Sequence, residues 1–215
     1  MMDDGLLKEG LKELKLLSDR NLSILNKYIE EIERFNSAYG LVKVKDRREL
    51  IIKHILDSLA PFDIINKLLD YSTSGSVADV GSGAGLPGIP LAICKHDAEF
   101  TLIERMGRRA GFLLNTVAAL GLSNVHIEEK EMEKAAGESY DLLVFRAYKP
   151  IDKKILKGLF RLLKPNGILA AYKGRRISAE EEINALSCDW ELVPVSVPFL
   201  KDERHLLIIK QTKQS

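Results

Sequence analysis

Asp79-Val80-Gly81-Ser82-Gly83-Ala84-Gly85-Leu86-Pro87-Gly88 is the stretch on which the fold turns. A short apolar run, residues 77–80, precedes the glycines, and an apolar helical segment containing residues 91–94 follows them. The glycines therefore stand where a strand hands over to a helix. They let the backbone take positive φ and approach a ligand closely. The helix start behind them offers unpaired N–H groups. Pro87 suits the first helical turn, where its missing N–H costs nothing.

Downstream, the pattern alternates. Residues 100–103, 125–127, 142–145 and 168–172 read as short strands, and residues 108–120 and 151–163 as helices. Gly121 ends the first of these helices and Lys164-Pro165-Asn166-Gly167 stops the second. Short apolar strands separated by helices predict βαβ units and a parallel sheet covered on both faces. Two last strands, 190–197 and 206–209, are joined by a segment too short for a crossover helix, so they must be antiparallel. A parallel sheet ending in an antiparallel hairpin is the α/β arrangement of the class I, Rossmann-like methyltransferases, with a seven-stranded sheet.

Upstream of about residue 75 the sequence is helical. Leu22, Leu25, Ile29 and Ile32 make one apolar stripe, with Ser18 or Asp19 as cap and residues 36–40 as the end. Residues 47–59 form a further helix closed by Pro61, and residues 71–76 a loop. The expected division is a helical extension over 1–72 and a ligand-binding domain over 73–215.

The glycine loop alone admits two ligands. Gly83 to Gly88 also satisfies the GxGxxG dinucleotide pattern, and Glu104, closing the next strand, stands where either family holds ribose hydroxyls. Asp79 two residues before Gly81, the terminal hairpin, and the lack of a hydride-transfer set such as Tyr/Lys or His/Arg favour S-adenosylmethionine over a nicotinamide. A nicotinamide-dependent oxidoreductase, the same fold acting on a protein or small molecule, and a non-catalytic RNA-binding protein remain the alternatives.

Totals exclude several classes. A chain of 215 residues, 46% hydrophobic, fills one ordinary core. No apolar run is long enough to span a membrane and the first residues are no secretory signal, so a cytoplasmic protein is expected. Cys94 and Cys188 have no CxxC or Cys/His spacing and read as two buried thiols, which argues against iron–sulfur radical chemistry. His96, His126 and His205 lack metal-ligand spacing, and no metal is expected.

Several blocks in order narrow the match. Residues 79–91, Phe35-Asn36, His54-Ile55-Leu56-Asp57-Ser58-Leu59, residues 104–113, Arg146-Ala147, residues 162–167, Lys173-Gly174 and Glu203-Arg204-His205-Leu206 resemble motifs of the bacterial 16S rRNA guanine-N7 methyltransferase family, once named glucose-inhibited division protein B. The resemblance implies methyl transfer from S-adenosylmethionine to N7 of a guanine in 16S rRNA or the small ribosomal subunit; a monomer is expected, although the sequence does not reveal the oligomeric state. It implies a cofactor site made by Asp79, Gly81, Gly83, Gly85, Leu86 and Glu104, with Met132 and Glu133 at the adenine edge. Arg146 would stand beside the methionine moiety and the target base, as the catalytic residue. Phe35 departs from the family's usual Trp, Met132 from its Ala, and Asn166-Gly167 from its Gly-Gly.

The chemistry agrees. Phe145-Arg146-Ala147-Tyr148-Lys149 follows the fourth strand, with neither the Pro-Pro-aromatic segment used for exocyclic amines nor a nucleophilic cysteine. Guanine N7 has a lone pair and no proton to lose, so alignment suffices. Arg146 can fork onto guanine O6 or a phosphate, or pair with Asp141 or Glu133. Residues 141–178 carry ten basic and two acidic side chains, a bias suited to an RNA backbone. Lys149, Lys173, Arg175 and Arg176, the last three on a loop after a strand, are the RNA-binding candidates, whereas Lys153, Lys154, Lys157 and Arg161 read as a solvated helix face. His54, Asp57 and Ser58 share one helix turn, which suits docking of the extension better than a catalytic triad.

Overall fold

A computed structural model describes residues 2–69, 75–146, 150–186 and 188–210, with side chains from residue 5 onward. Among these residues the chain opens with helices α1 (Met2–Glu13), α2 (Asp19–Tyr39), α3 (Arg47–Leu50), α4 (Asp57–Leu59) and α5 (Phe62–Leu69). A π-helical turn, Ile51–Leu56, joins α3 to α4. The Ser18 side chain caps α2 by accepting from the Asn21 N–H, and Gly40, at φ 58°, closes it. The predicted stripe on α2 is buried at Leu25, Ile29 and Ile32, with Tyr28 among them.

Strands β1 (Ser76–Val80), β2 (Glu99–Glu104), β3 (Val125–Glu129), β4 (Tyr140–Arg146), β5 (Leu163–Lys173), β6 (Asp189–Pro194) and β7 (His205–Lys210) form one sheet. Their order is β3-β2-β1-β4-β5-β7-β6. The first five run parallel, and β7 is antiparallel to both β5 and β6. Helices α6 (Gly88–Cys94), α7 (Gly107–Leu120), α8 (Lys153–Leu162) and α9 (Arg176–Asn184) connect the strands. One apolar cluster packs the N-terminal helices, α6 and α7 on one face of the sheet. A second joins α8 and α9 to the other face. The chain reverses its direction of winding between β1 and β4, and ligands of open α/β sheets bind beyond the carboxyl ends of such a switch point.

The expected architecture holds, with local corrections. The Lys164–Gly167 stop lies inside β5: Leu163 pairs with Tyr140 and Ile168 with Leu142, and Asn166, at φ 66°, absorbs the excursion between them. Ser76 belongs to β1, where its Oγ donates to Asp141 at 2.6 Å; residues 71–74 of the expected loop lie outside the described residues. Cys94 and Cys188 are half-buried rather than fully buried. Helices α1, α5 and α9 are additions. Only Ala179 and Ile183 of α9 are buried, one turn apart, which leaves almost no periodic signal in the sequence. Among the described residues no helix is long and apolar enough to cross a membrane.

Candidate active site

Gly81 (φ 72°) and Gly83 (φ 59°) sit at the carboxyl end of β1 in a conformation that side-chain residues rarely adopt. The Gly81 N–H bonds the Ile103 carbonyl at 2.8 Å, which pins the loop to β2. A Cβ at Gly83 would meet nothing nearer than 3.9 Å, so open space lies beyond it. Gly85 and Leu86 occupy the inner side of the turn. A Cβ at Gly85 would stand 2.5 Å from Ile89 Cδ1, and Leu86 is buried in the core.

Asp79 lies beneath the loop, 1% exposed. Its Oδ2 accepts from the Gly88 N–H at 2.8 Å and so ties the strand to the start of α6. Its Oδ1 is buried with no hydrogen-bond partner among the described residues. Burial pushes its carboxyl up to about 7, against the opposing pull of the Gly88 N–H and Arg146. Glu104 is buried too, with both oxygens engaged: Oε2 accepts from Gly83 N at 2.9 Å and Oε1 from Met106 N at 2.8 Å. Each carboxylate oxygen keeps a further lone pair for a ligand.

A cavity of about 410 Å³ opens over β1, β2 and β3, lined by Gly81, Glu104, Arg109, Met132 and Glu133 among others. Met132 and Glu133 belong to a short 3₁₀ turn after β3. Met132 sits where α8 carries Gly158, since a Cβ there would lie 2.7 Å from Met132 Cε. Arg161 was expected on a solvated helix face. Instead its guanidinium donates to the carbonyls of Ala135 at 2.8 Å, Met132 at 2.9 Å and Glu133 at 3.2 Å, and braces that turn.

A second cavity, about 560 Å³, lies beside the first over β4 and β5, lined by His54, Asp57, Arg146, Tyr172, Glu182 and Arg204 among others. Arg146 pairs with neither Asp141 nor Glu133. Its partner is Asp57, with Nη1 3.0 Å from Oδ2, and Asp57 Oδ1 accepts from Arg204 at 2.8 Å. Arg146 also donates to the Lys53 carbonyl and to His54 Nδ1, at 3.2 and 2.9 Å. Because a guanidinium only donates, His54 must carry its proton on Nε2. Burial, reinforced by Arg146, lowers the His54 imidazole from 6.5 to about 4. The shared turn of His54 and Asp57 thus docks the N-terminal helices onto β4, with no catalytic triad. Two further bonds seal that docking: Tyr28 Oη donates to the Ala84 carbonyl of the glycine loop, and Tyr172 Oη to that of Ser58, both at 2.7 Å.

The basic candidates divide. Lys173 is ion-paired with Glu182 at 2.7 Å and is 14% exposed, so it is a wall of the second cavity rather than a free loop cation. Arg176 begins α9, with Nη1 on Glu180 at 2.9 Å, and is not on a loop. Arg175 is exposed at the start of that helix. Lys149 lies outside the described residues. Tyr28, Arg204 and Glu182 carry no site role that the sequence motifs reveal. Asp57 and Arg204 stand within motif blocks, but only the fold brings them to Arg146. No group of three His, Cys, Asp or Glu able to hold a metal ion is found among the described residues.

Two solved methyltransferases share the fold. A SAM-dependent enzyme from Aquifex aeolicus has a TM-score of 0.56 at 17% identity, over 84% of this chain and 97% of its own. An S-adenosyl-L-methionine-dependent enzyme from Methanococcus maripaludis reaches 0.60 at 17%, over 87% and 93%. Curated relatives are nearer in sequence. Ribosomal RNA small subunit methyltransferase G of Treponema denticola is 37% identical, covering 98% of this chain and 96% of its own length. That of Xanthomonas axonopodis pv. citri is 39% identical, over 87% and 85%. The model of the GidB family, rRNA small subunit methyltransferase G, matches residues 21–207, and the chain belongs to that family.

Proposed function

We propose that this chain transfers the methyl group of S-adenosylmethionine to N7 of a guanine in the 16S rRNA of the small ribosomal subunit. Family membership supports the reading, and one structural observation carries it to a mechanism. Two cavities lie side by side along the carboxyl edge of the sheet, one over β1–β3 and one over β4–β5, at the switch point.

The first cavity fits the methyl donor. Gly81 and Gly83 leave the loop open to close approach, and Glu104, fixed by two backbone N–H groups, would accept the ribose hydroxyls. Met132 and Glu133 would flank the adenine edge. When bound, the cofactor supplies a methyl group on a positively charged sulfur. Asp79, Gly85 and Leu86 act mainly from beneath, by shaping the loop.

The second cavity receives the base. Guanine N7 attacks with its own lone pair, so the protein supplies neither a general base nor a nucleophile. Its contribution is alignment, for which proximity can supply about 7–11 kcal/mol. Arg146, held by Asp57, His54 and the Lys53 carbonyl, orients the base or its phosphate and is the residue we assign to the reacting centre. Arg175 and Arg176 extend the basic rim toward the RNA backbone, where each phosphate contact adds salt-dependent affinity. Lys173 acts through Glu182. One chain carries both cavities, so we assign activity to a monomer, in the cytoplasm. The helical extension over 1–72 completes the second cavity through Asp57.

The test is transfer of labelled methyl to small ribosomal subunits or 16S rRNA lacking the modification, followed by aniline cleavage. Strand scission at one guanine supports the reading. Label confined to protein or small molecules ends it.

A further inference from the structure

We propose that the Glu182 carboxylate receives the Watson–Crick edge of the target guanine and so selects the base, an inference that rests on the guanine-N7 reading above. Glu182 lies on α9, which follows β5, and lines the β4–β5 cavity on the side away from the cofactor cavity. Its Oε1 is fixed by the Ile151 N–H at 2.6 Å and by Lys173 Nζ at 2.7 Å. No hydrogen bond to its Oε2 is found among the described residues, and the side chain is 20% exposed. One oxygen is therefore anchored, and the partly exposed side chain that carries the other lines the cavity.

Guanine needs such a group. Its N7 and O6 acceptors lie on one edge, and its N1–H and N2–H₂ donors on another. With N7 turned toward the methyl donor at the β1–β4 boundary, the donor edge turns toward β5 and α9. A carboxylate oxygen is acceptor-only, and the two lone pairs of Oε2 can take two adjacent donors. Adenine would set its N1 lone pair against the same oxygen and be rejected. The other carboxylate in the lining, Asp57, already gives one oxygen each to two guanidinium groups, Arg146 and Arg204, whereas Glu182 Oε2 accepts no hydrogen bond among the described residues. Arg146 retains donors beyond the three engaged, which suits O6.

The experiment compares RNA substrates carrying guanosine or inosine at the mapped acceptor position, since inosine lacks only the N2 amine. The wild-type enzyme should lose roughly 10- to 100-fold in kcat/KM on inosine, the effect of losing one hydrogen bond to a charged acceptor. Glu182→Gln should lose a similar factor on guanosine, bind S-adenosylhomocysteine as the wild type does, and no longer distinguish the two RNAs. Glu182→Asp, which keeps the charge on a shorter arm, should restore part of the preference and serves if the first variant fails to bind the cofactor product. Equal wild-type rates on guanosine and inosine, or an unchanged preference in a folded Glu182 variant, would overturn the proposal. Failure of the underlying reading is distinct: neither RNA would accept methyl.

Discussion

Asp57 Oδ2 accepts a hydrogen bond from Arg146 at 3.0 Å, joining a helix of the N-terminal extension to the last residue of β4 across 89 positions of sequence. The carboxylate serves a second guanidinium, Arg204, so one buried negative charge organises two positive ones from separate parts of the chain. Removing one partner of a buried pair typically costs about 3–5 kcal/mol, since the remaining charge is left uncompensated. Asp57→Ala should lose stability of that order in urea unfolding. Asp57→Asn, which preserves the shape, should lose less stability but still reduce methyl transfer more than S-adenosylhomocysteine affinity. Unchanged turnover in a folded Asp57→Asn variant would show that Arg146 needs no anchor.

Tyr28→Phe removes the hydroxyl that holds the Ala84 carbonyl and changes nothing else in the buried stripe of α2. A lost buried hydrogen bond that leaves the carbonyl unpaired costs about 1–3 kcal/mol. Because that carbonyl belongs to the glycine loop, part of the loss should appear as weaker S-adenosylhomocysteine binding by calorimetry. A variant with wild-type affinity and a lower melting temperature would confine the bond to stability.

Arg161→Ala should loosen the Met132–Lys134 turn, whose carbonyls the guanidinium holds. KM for S-adenosylmethionine should rise while kcat at saturation stays near the wild-type value, because the turn touches the adenine side of the cavity and not the base. A fall in kcat with KM unchanged would contradict this placement.

Two groups give opposite pH dependences. Burial raises the Asp79 carboxyl to about 7, so between 3.8 and 7 the folded state binds more protons than the unfolded one. That contribution stabilises the protein at low pH and is lost as pH rises through about 7. His54 is held down to about 4, so its contribution is present above 6.5 and is lost as pH falls toward 4. Asp79→Asn should remove the loss of stability between about 3.8 and 7, and His54→Gln the loss as pH falls from 6.5 toward 4, each measured by denaturant unfolding against pH. Identical profiles for a variant and the wild type would contradict the corresponding assignment.

Much of this was legible in the chain because it depends on local rules. Val77 to Gly88 announces a strand, a glycine turn and a helix through residue type alone, and the short connection, read as 198–205 and found at 195–204, forces the antiparallel pair. Helix α9 was not legible, since its two buried residues sit one turn apart among charges. The partners of Arg146 were not legible for another reason. Asp141 and Glu133 are closer in sequence, but the fold brings Asp57 and His54 to the carboxyl end of β4. Arg161 likewise looks like part of a charged helix face until the turn after β3 is folded against it.

The central claim is that the cofactor lies over β1–β3 with its ribose on Glu104, leaving the β4–β5 cavity for the base. A crystal structure with S-adenosylhomocysteine, paired with calorimetry on Glu104→Ala, tests it most directly. The expected result is adenosine between Glu104 and the Met132–Lys134 turn, sulfur facing the Arg146 side, and an affinity loss of about 1–3 kcal/mol in the variant. Ligand seated over β4 and β5, or undiminished affinity in Glu104→Ala, would contradict the account.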